Sequence, residues 1–149
     1  MAYWLMKSEP TVYGYEQLRK DKVTGWSNVR NFKARNFMKA MKVGDEAFFY
    51  HSNADPPGIA GTMRVVKEAY ADPTQFEAGD YFESKATREK PYWYQVDVAF
   101  GEPFARFLPR DDLKARPELK EMALWKYGRL SVGPVTPAEW KVICALGGL

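Results

Sequence analysis

The stretch Tyr-Trp-Tyr-Gln-Val-Asp-Val-Ala-Phe (92–100) alternates with a period of two. Tyr92, Tyr94, Val96, Val98 and Phe100 share one face, and Trp93, Gln95 and Asp97 share the other. Strand side chains point to opposite faces in turn, whereas a helix repeats every 3.6 residues, so this run predicts a strand. Outward from it, Ile59–Tyr70 reads as a long strand, with Gly61 marking a bulge or a close backbone approach. Residues 45–52, Asp-Glu-Ala-Phe-Phe-Tyr-His-Ser, read as another. Tyr3–Lys7 is a short apolar strand stopped at Pro10, and Arg129–Val135 is an extended segment. Between these lie a Pro-Pro-Gly loop at 53–58 and an irregular polar stretch at 71–91.

Helical spacing appears elsewhere. Ala34, Phe37, Met38 and Met41 follow i, i+3, i+4, i+7 and define a buried helix face, with Gly44 as its stop and Lys33, Arg35, Lys39 and Lys42 off that face. Residues 15–20 make one or two helical turns. Residues 109–114 form a short helix with Pro109 in its first position, and 118–127 form another. Thr136-Pro137-Ala138-Glu139 is a capping box opening a last helix, whose face carries Trp140, Ile143, Cys144 and Gly147. Strands and helices do not alternate strictly. The expected class is therefore α+β: a small mixed β-barrel or strongly curved sheet with surrounding helices, as a single domain over 1–149.

The bulk numbers agree with a folded chain that needs no covalent staple. At 149 residues it buries about 68–70% of its unfolded surface. Aromatic residues make up 15%, more than so small a core requires, which points some rings toward a ligand. The net charge of +3 is too weak to diagnose a nucleic-acid partner by itself. One cysteine and one histidine make no disulfide framework and no zinc set, so neither metal nor cofactor is expected. No signal peptide and no 18-residue apolar run is present, and the expectation is a soluble, cytoplasmic protein.

Dinucleotide, P-loop, metalloprotease and nucleophile-elbow motifs are absent. Cys144 falls on an apolar helix face and reads as a core thiol. His51 ends a strand before a loop, where catalysis, a structural hydrogen bond and a phosphate contact are all open to it. Trp26 stands in a polar turn beside Ser27, Asn28, Arg30 and Asn31. Either it fills the core, or it is a stacking wall for a planar base, with Ser and Asn reading the base edge and Arg30 holding a phosphate.

Six stretches in order carry a family resemblance: Trp-Leu-Met-Lys-Ser-Glu-Pro (4–10), Trp-Ser-Asn-Val-Arg-Asn (26–31), Ala-Arg-Asn-Phe-Met-Lys-Ala-Met (34–41), Ala-Phe-Phe-Tyr-His-Ser-Asn (47–53), Pro-Gly-Ile-Ala-Gly (57–61) and Arg-Leu-Ser-Val-Gly-Pro-Val (129–135). Together they resemble the EVE domain. The resemblance implies a PUA-like fold, related to YTH, ASCH and PUA modules, and a reader of modified bases in DNA or RNA. The segments Lys7-Ser8-Glu9 and Trp26-Ser27-Asn28 are similar to those lining the aromatic cage of YTH domains. The loop that carries a second cage tryptophan there corresponds to 71–91, which offers Phe76, Tyr81 and Phe82 but no Trp.

On this mapping the base pocket comprises Ser8, Glu9, Trp26, Ser27, Asn28, Val29 and Asn31, closed by Tyr50, Ser52 and Asn53. Lys7, Arg30, His51, Arg129 and Ser131 hold phosphates. The leading expectation is a binding module without catalysis and with a nucleic-acid partner. The alternative is an ASCH-type nuclease or amidohydrolase using Lys7, Glu9 or His51 as acid or base.

Overall fold

In the computed structural model, which describes residues 1–149, the chain forms six strands and five α-helices. In chain order these are β1 (Tyr3–Ser8), α1 (Tyr15–Asp21), β2 (Val23–Gly25), α2 (Phe32–Ala40), β3 (Glu46–His51), β4 (Gly58–Ala71), β5 (Tyr94–Pro109), α3 (Arg110–Lys114), α4 (Ala123–Lys126), β6 (Val132–Val135) and α5 (Pro137–Leu146). All six strands join one mixed, curved and unclosed sheet, in the order β2-β5-β4-β3-β1-β6. The β1–β3 pair is parallel, with Tyr3 opposite Glu46 and Ser8 opposite His51, and the other pairs are antiparallel. The expected α+β class with a strongly curved sheet is what the chain adopts.

The short strands β1 and β3 are apolar because both their faces are covered, as in parallel sheets generally. Trp4, Met6, Ala47 and Phe49 point into one core cluster with Leu18 of α1 and Met38 of α2. Leu5, Phe48 and Tyr50 point into the other, with Leu113, Leu124, Trp140 and Ile143. One residue of slip would exchange the two sets, so register is strongly specified. A buried carboxylate locks the start of the pair. Asp45 accepts the Trp4 indole N–H, the Lys42 N–H and the Ala2 N–H, each at 3.0 Å. Burial raises its pKa, but the three hydrogen bonds outweigh that and leave the carboxyl below its ordinary range.

Several boundaries differ from the sequence reading. β5 runs on to Pro109 rather than ending at Phe100. Gly101 and Pro103 look like breakers, yet the pairing with β4 shifts register around Gly61, whose partner is Pro103. Such irregularities are where a strand tolerates proline. The expected close approach at Gly61 is present: an added Cβ would lie 2.6 Å from the Tyr15 hydroxyl. Residues 118–127 do not make one helix but a 3₁₀ turn at Pro117–Leu119 followed by α4. Pro109 is the N-cap of α3 rather than its first residue. α2 ends at Ala40, and Gly44 (φ 96°) serves the turn into β3. The capping box forms as read, with Thr136 and Glu139 exchanging hydrogen bonds at 2.9 and 3.1 Å. Cys144 is half-buried and packs against the second cluster.

Candidate nucleic-acid interface

Although β1 and β2 stand four places apart in the order of the curved sheet, the end of β1 and the loop that follows β2 face each other. Between them lies a cavity of about 360 Å³. Its wall takes Lys7, Ser8 and Glu9 from the end of β1, Val12 and Tyr13 from the next turn, and Thr24 and Gly25 from β2. Trp26, Ser27, Asn28, Val29 and Arg30 follow, and Tyr81 and Ser131 complete it. This size falls within the range of small-ligand pockets.

Trp26 is at once a core residue and part of the cavity wall. It is 6% exposed, belongs to the first core cluster and meets Phe49 edge-on at 5.2 Å, and it also lines the cavity. The core fixes its ring, and its N–H to the Val96 carbonyl (2.8 Å) ties its backbone to β5. Asn28 adopts φ 70°, a left-handed conformation that Asn tolerates better than most residues. A buried carboxylate holds that kink: Asp72 accepts the Asn28 N–H at 2.7 Å, and its other oxygen accepts the Thr74 N–H at 2.8 Å. The Thr74 hydroxyl lies 2.6 Å from Asp72 and 3.1 Å from the Asn28 amide oxygen.

Around this frame the cavity keeps free polar capacity. The Ser8 hydroxyl donates to the Tyr13 carbonyl at 2.7 Å, leaving its lone pairs. The hydroxyls of Ser27 and Ser131 make no hydrogen bond within the protein. Glu9 accepts from the Asn53 amide at 2.6 Å through one oxygen only. Lys7 donates to the Gly128 carbonyl at 3.0 Å, and burial, then the nearby charge of Arg110, lowers its pKa.

Of the residues proposed for the base pocket, Ser8, Glu9, Trp26, Ser27, Asn28 and Val29 line this cavity. Asn31 does not. Its side chain caps α2, accepting the Ala34 N–H at 3.0 Å. Tyr50, Ser52 and Asn53 face two neighbouring cavities instead. Among the proposed phosphate ligands, Lys7 and Ser131 reach the Trp26 cavity and the next one, and Arg129 lies at the rim of that second cavity.

Two phosphate assignments are corrected by the geometry. The Arg30 guanidinium is consumed internally: it donates to the carbonyls of Val29 (3.1 Å) and Tyr81 (2.9 Å) and to the Thr74 hydroxyl (2.9 Å), and it pairs with Asp72 at 3.3 Å. It positions the 72–81 segment rather than presenting a free fork. His51 accepts the Tyr15 N–H through Nε2 at 3.2 Å, and burial lowers its pKa, so the ring is neutral and turned inward.

Sequence reasoning missed Val12, Tyr13, Thr24 and Gly25, which follow or precede recognised segments without any motif of their own. Of the three aromatics offered by the irregular stretch, Tyr81 reaches the cavity, with Arg30 5.5 Å from its ring centroid.

Comparison with known proteins bears directly on this arrangement. Thymocyte nuclear protein 1 of Danio rerio is 44% identical, over 96% of this chain and 71% of its own. A crystal structure of a protein from Pseudomonas putida is 49% identical with a TM-score of 0.94, covering 98% of this chain and 99% of that one. The crystal structure of human THYN1 in complex with 5-methylcytosine-containing DNA is 40% identical with a TM-score of 0.95, covering 100% of this chain and 99% of that one. The expected cytoplasmic location does not stand, because the relatives are named as nuclear proteins. The EVE domain model matches residues 2–146, and the chain belongs to the EVE domain family.

Proposed function

We propose that this chain is a DNA-binding module that takes a modified base, of the 5-methylcytosine kind, into the Trp26 cavity without transforming it. The observation that carries the reading is the cavity itself: a fixed aromatic wall beside the Ser27 and Ser131 hydroxyls and the Asn28 amide nitrogen, which make no hydrogen bond within the fold. The human relative crystallised with 5-methylcytosine-containing DNA supports the choice of DNA and of that modification. Extruding a base from a duplex costs a few kcal/mol. Stacking returns roughly 1–3 kcal/mol per base. Contacts from Ser8, Ser27, Asn28 and Glu9 to the base edge supply the remainder and the selectivity.

Fluorescence anisotropy with matched 5-methylcytosine and unmodified oligonucleotides, as DNA and as RNA, tests the proposal. The variant of choice is Asn28→Gly, which removes the amide while glycine accepts the left-handed backbone. Wild type should prefer modified DNA, and the variant should lose that preference while remaining folded. Equal affinity of wild type for modified and plain DNA would sink the reading, as would a stronger response to RNA. Mass spectrometry of the recovered oligonucleotide should show no change, and a product would replace binding by catalysis.

A further inference from the structure

Beside the Trp26 cavity a second one, of about 390 Å³, is walled by Lys7, Ser8, Glu9, Ser52, Asn53 and Arg129 among others. It leads into a third, of about 260 Å³, whose wall includes Lys7, Tyr50, Ser52, Asn53 and Arg110 and contains no carboxylate. The first two share Lys7, Ser8, Glu9 and Ser131, and the last two share Lys7, Ser52, Asn53 and Gly128, so the three adjoin as one groove.

Three groups on the wall of the third cavity keep hydrogen-bonding or charge capacity that no carboxylate of the fold takes up. Tyr50 is 4% exposed, yet its hydroxyl makes no hydrogen bond in the protein. The ring is held in the core while the hydroxyl opens onto the cavity wall, where it is free to bond a ligand. Arg110 forms no ion pair, and its guanidinium rests 5.6 Å from the Trp125 ring centroid. Lys7 has no acidic partner and is close enough to Arg110 for the two charges to disfavour each other. Of the nearby carboxylates, Asp111 is felt by Tyr50 but lines no wall, and Glu9 is bonded to Asn53 in the connecting cavity.

We propose that the Lys7–Tyr50–Ser52–Arg110 cavity is a phosphodiester subsite, holding a backbone phosphate of the strand whose base enters the Trp26 cavity. An anion there separates the two cations electrostatically and satisfies the Tyr50 hydroxyl. Guanidinium binds such oxygens through a planar two-donor fork, with Lys7 as a point charge opposite. The inference rests on the base-reading proposal for its direction along the groove, but its chemistry is independent of which base is read.

The test measures salt dependence of binding to single-stranded oligonucleotides, modified and plain, for wild type, Arg110→Gln, Arg110→Lys and Tyr50→Phe. Arg110→Gln should weaken binding on the order of tenfold at low salt. It should reduce the slope of log K against log salt by about 0.7, the value for one single-strand phosphate. The ratio of modified to plain affinity should stay at the wild-type value. Arg110→Lys should keep the slope. Tyr50→Phe, which keeps the buried ring, should weaken binding several-fold. Wild-type affinity and slope in both Arg110→Gln and Tyr50→Phe would overturn the subsite and leave the base reading intact. Equal wild-type affinity for modified and plain strands would overturn the base reading alone, while a slope lost with Arg110 on plain DNA would still support the subsite.

Discussion

The carboxylate of Asp72, with no exposed side-chain surface, holds the backbone N–H of Asn28 at 2.7 Å and pairs with Arg30 at 3.3 Å. One buried acid thus shapes the loop that presents Trp26, Asn28 and Val29. Replacing it leaves the Asn28 and Thr74 N–H groups and a largely buried guanidinium without their acceptor. Breaking such a buried pair costs roughly 3–5 kcal/mol. Asp72→Ala should lower the urea midpoint accordingly, and folded Asp72→Asn should lose the base preference. An unchanged midpoint would remove Asp72 from the frame.

Gly61 leaves room for Tyr15. An added Cβ would sit 2.6 Å from the Tyr15 hydroxyl and 2.8 Å from the Glu102 carbonyl. The tyrosine cannot step aside, being 3% exposed and bonded to the Thr62 carbonyl at 2.7 Å. Gly61→Ala should cost about 1–3 kcal/mol, the range for overpacking. Tyr15→Phe in the same background should recover part of that loss, which thermal melts of the two variants would measure.

His51 makes stability fall in mild acid. Burial lowers its pKa in the folded chain from the ordinary 6.5, so the unfolded chain takes up the proton first. Its stabilising contribution is complete above about pH 6.5, the unfolded value, and is lost as pH falls toward the folded value. The melting temperature should therefore drop as pH goes from neutral into that window, and His51→Gln should flatten this part of the profile. The same slope in His51→Gln would assign the effect to another group.

Burial pushes the Cys144 thiol up to about 11. Little thiolate exists near neutral pH, and the thiolate is the nucleophile. Labelling with a disulfide reagent should be slow in the folded protein and immediate in denaturant. Rapid native labelling would show that α5 opens locally.

What the sequence made legible follows from range. β1, β3 and α2 carry their structure in neighbours: Leu5 beside Met6, Phe48 beside Phe49, and Ala34 with Met38 at helical spacing. The Trp26–Asn28 wall was readable because a large ring among polar residues is itself unusual. Arg30 was misread for the opposite reason. Its partners Asp72, Thr74 and Tyr81 lie 42, 44 and 51 positions away, in a stretch without periodicity. A guanidinium in a loop looks the same whether it meets a phosphate or a buried carboxylate. Tyr50 borders an adjoining cavity rather than the Trp26 one, because strand alternation fixes its face but not which cavity that face borders. The continuation of β5 past Gly101 was hidden because only the partner strand's shifts of register make room for Pro103.

The groove is walled by residues from Lys7 to Ser131, and these two stand side by side because β1 pairs with β6, the Lys7 N–H donating to the Ser131 carbonyl at 2.8 Å. Occupancy therefore staples the two ends of the chain. A strand held at a hundred times its dissociation constant adds about 2.7 kcal/mol to folding. That gain should be felt most at the four-residue β6, whose amides would exchange more slowly in the bound protein than in the free one.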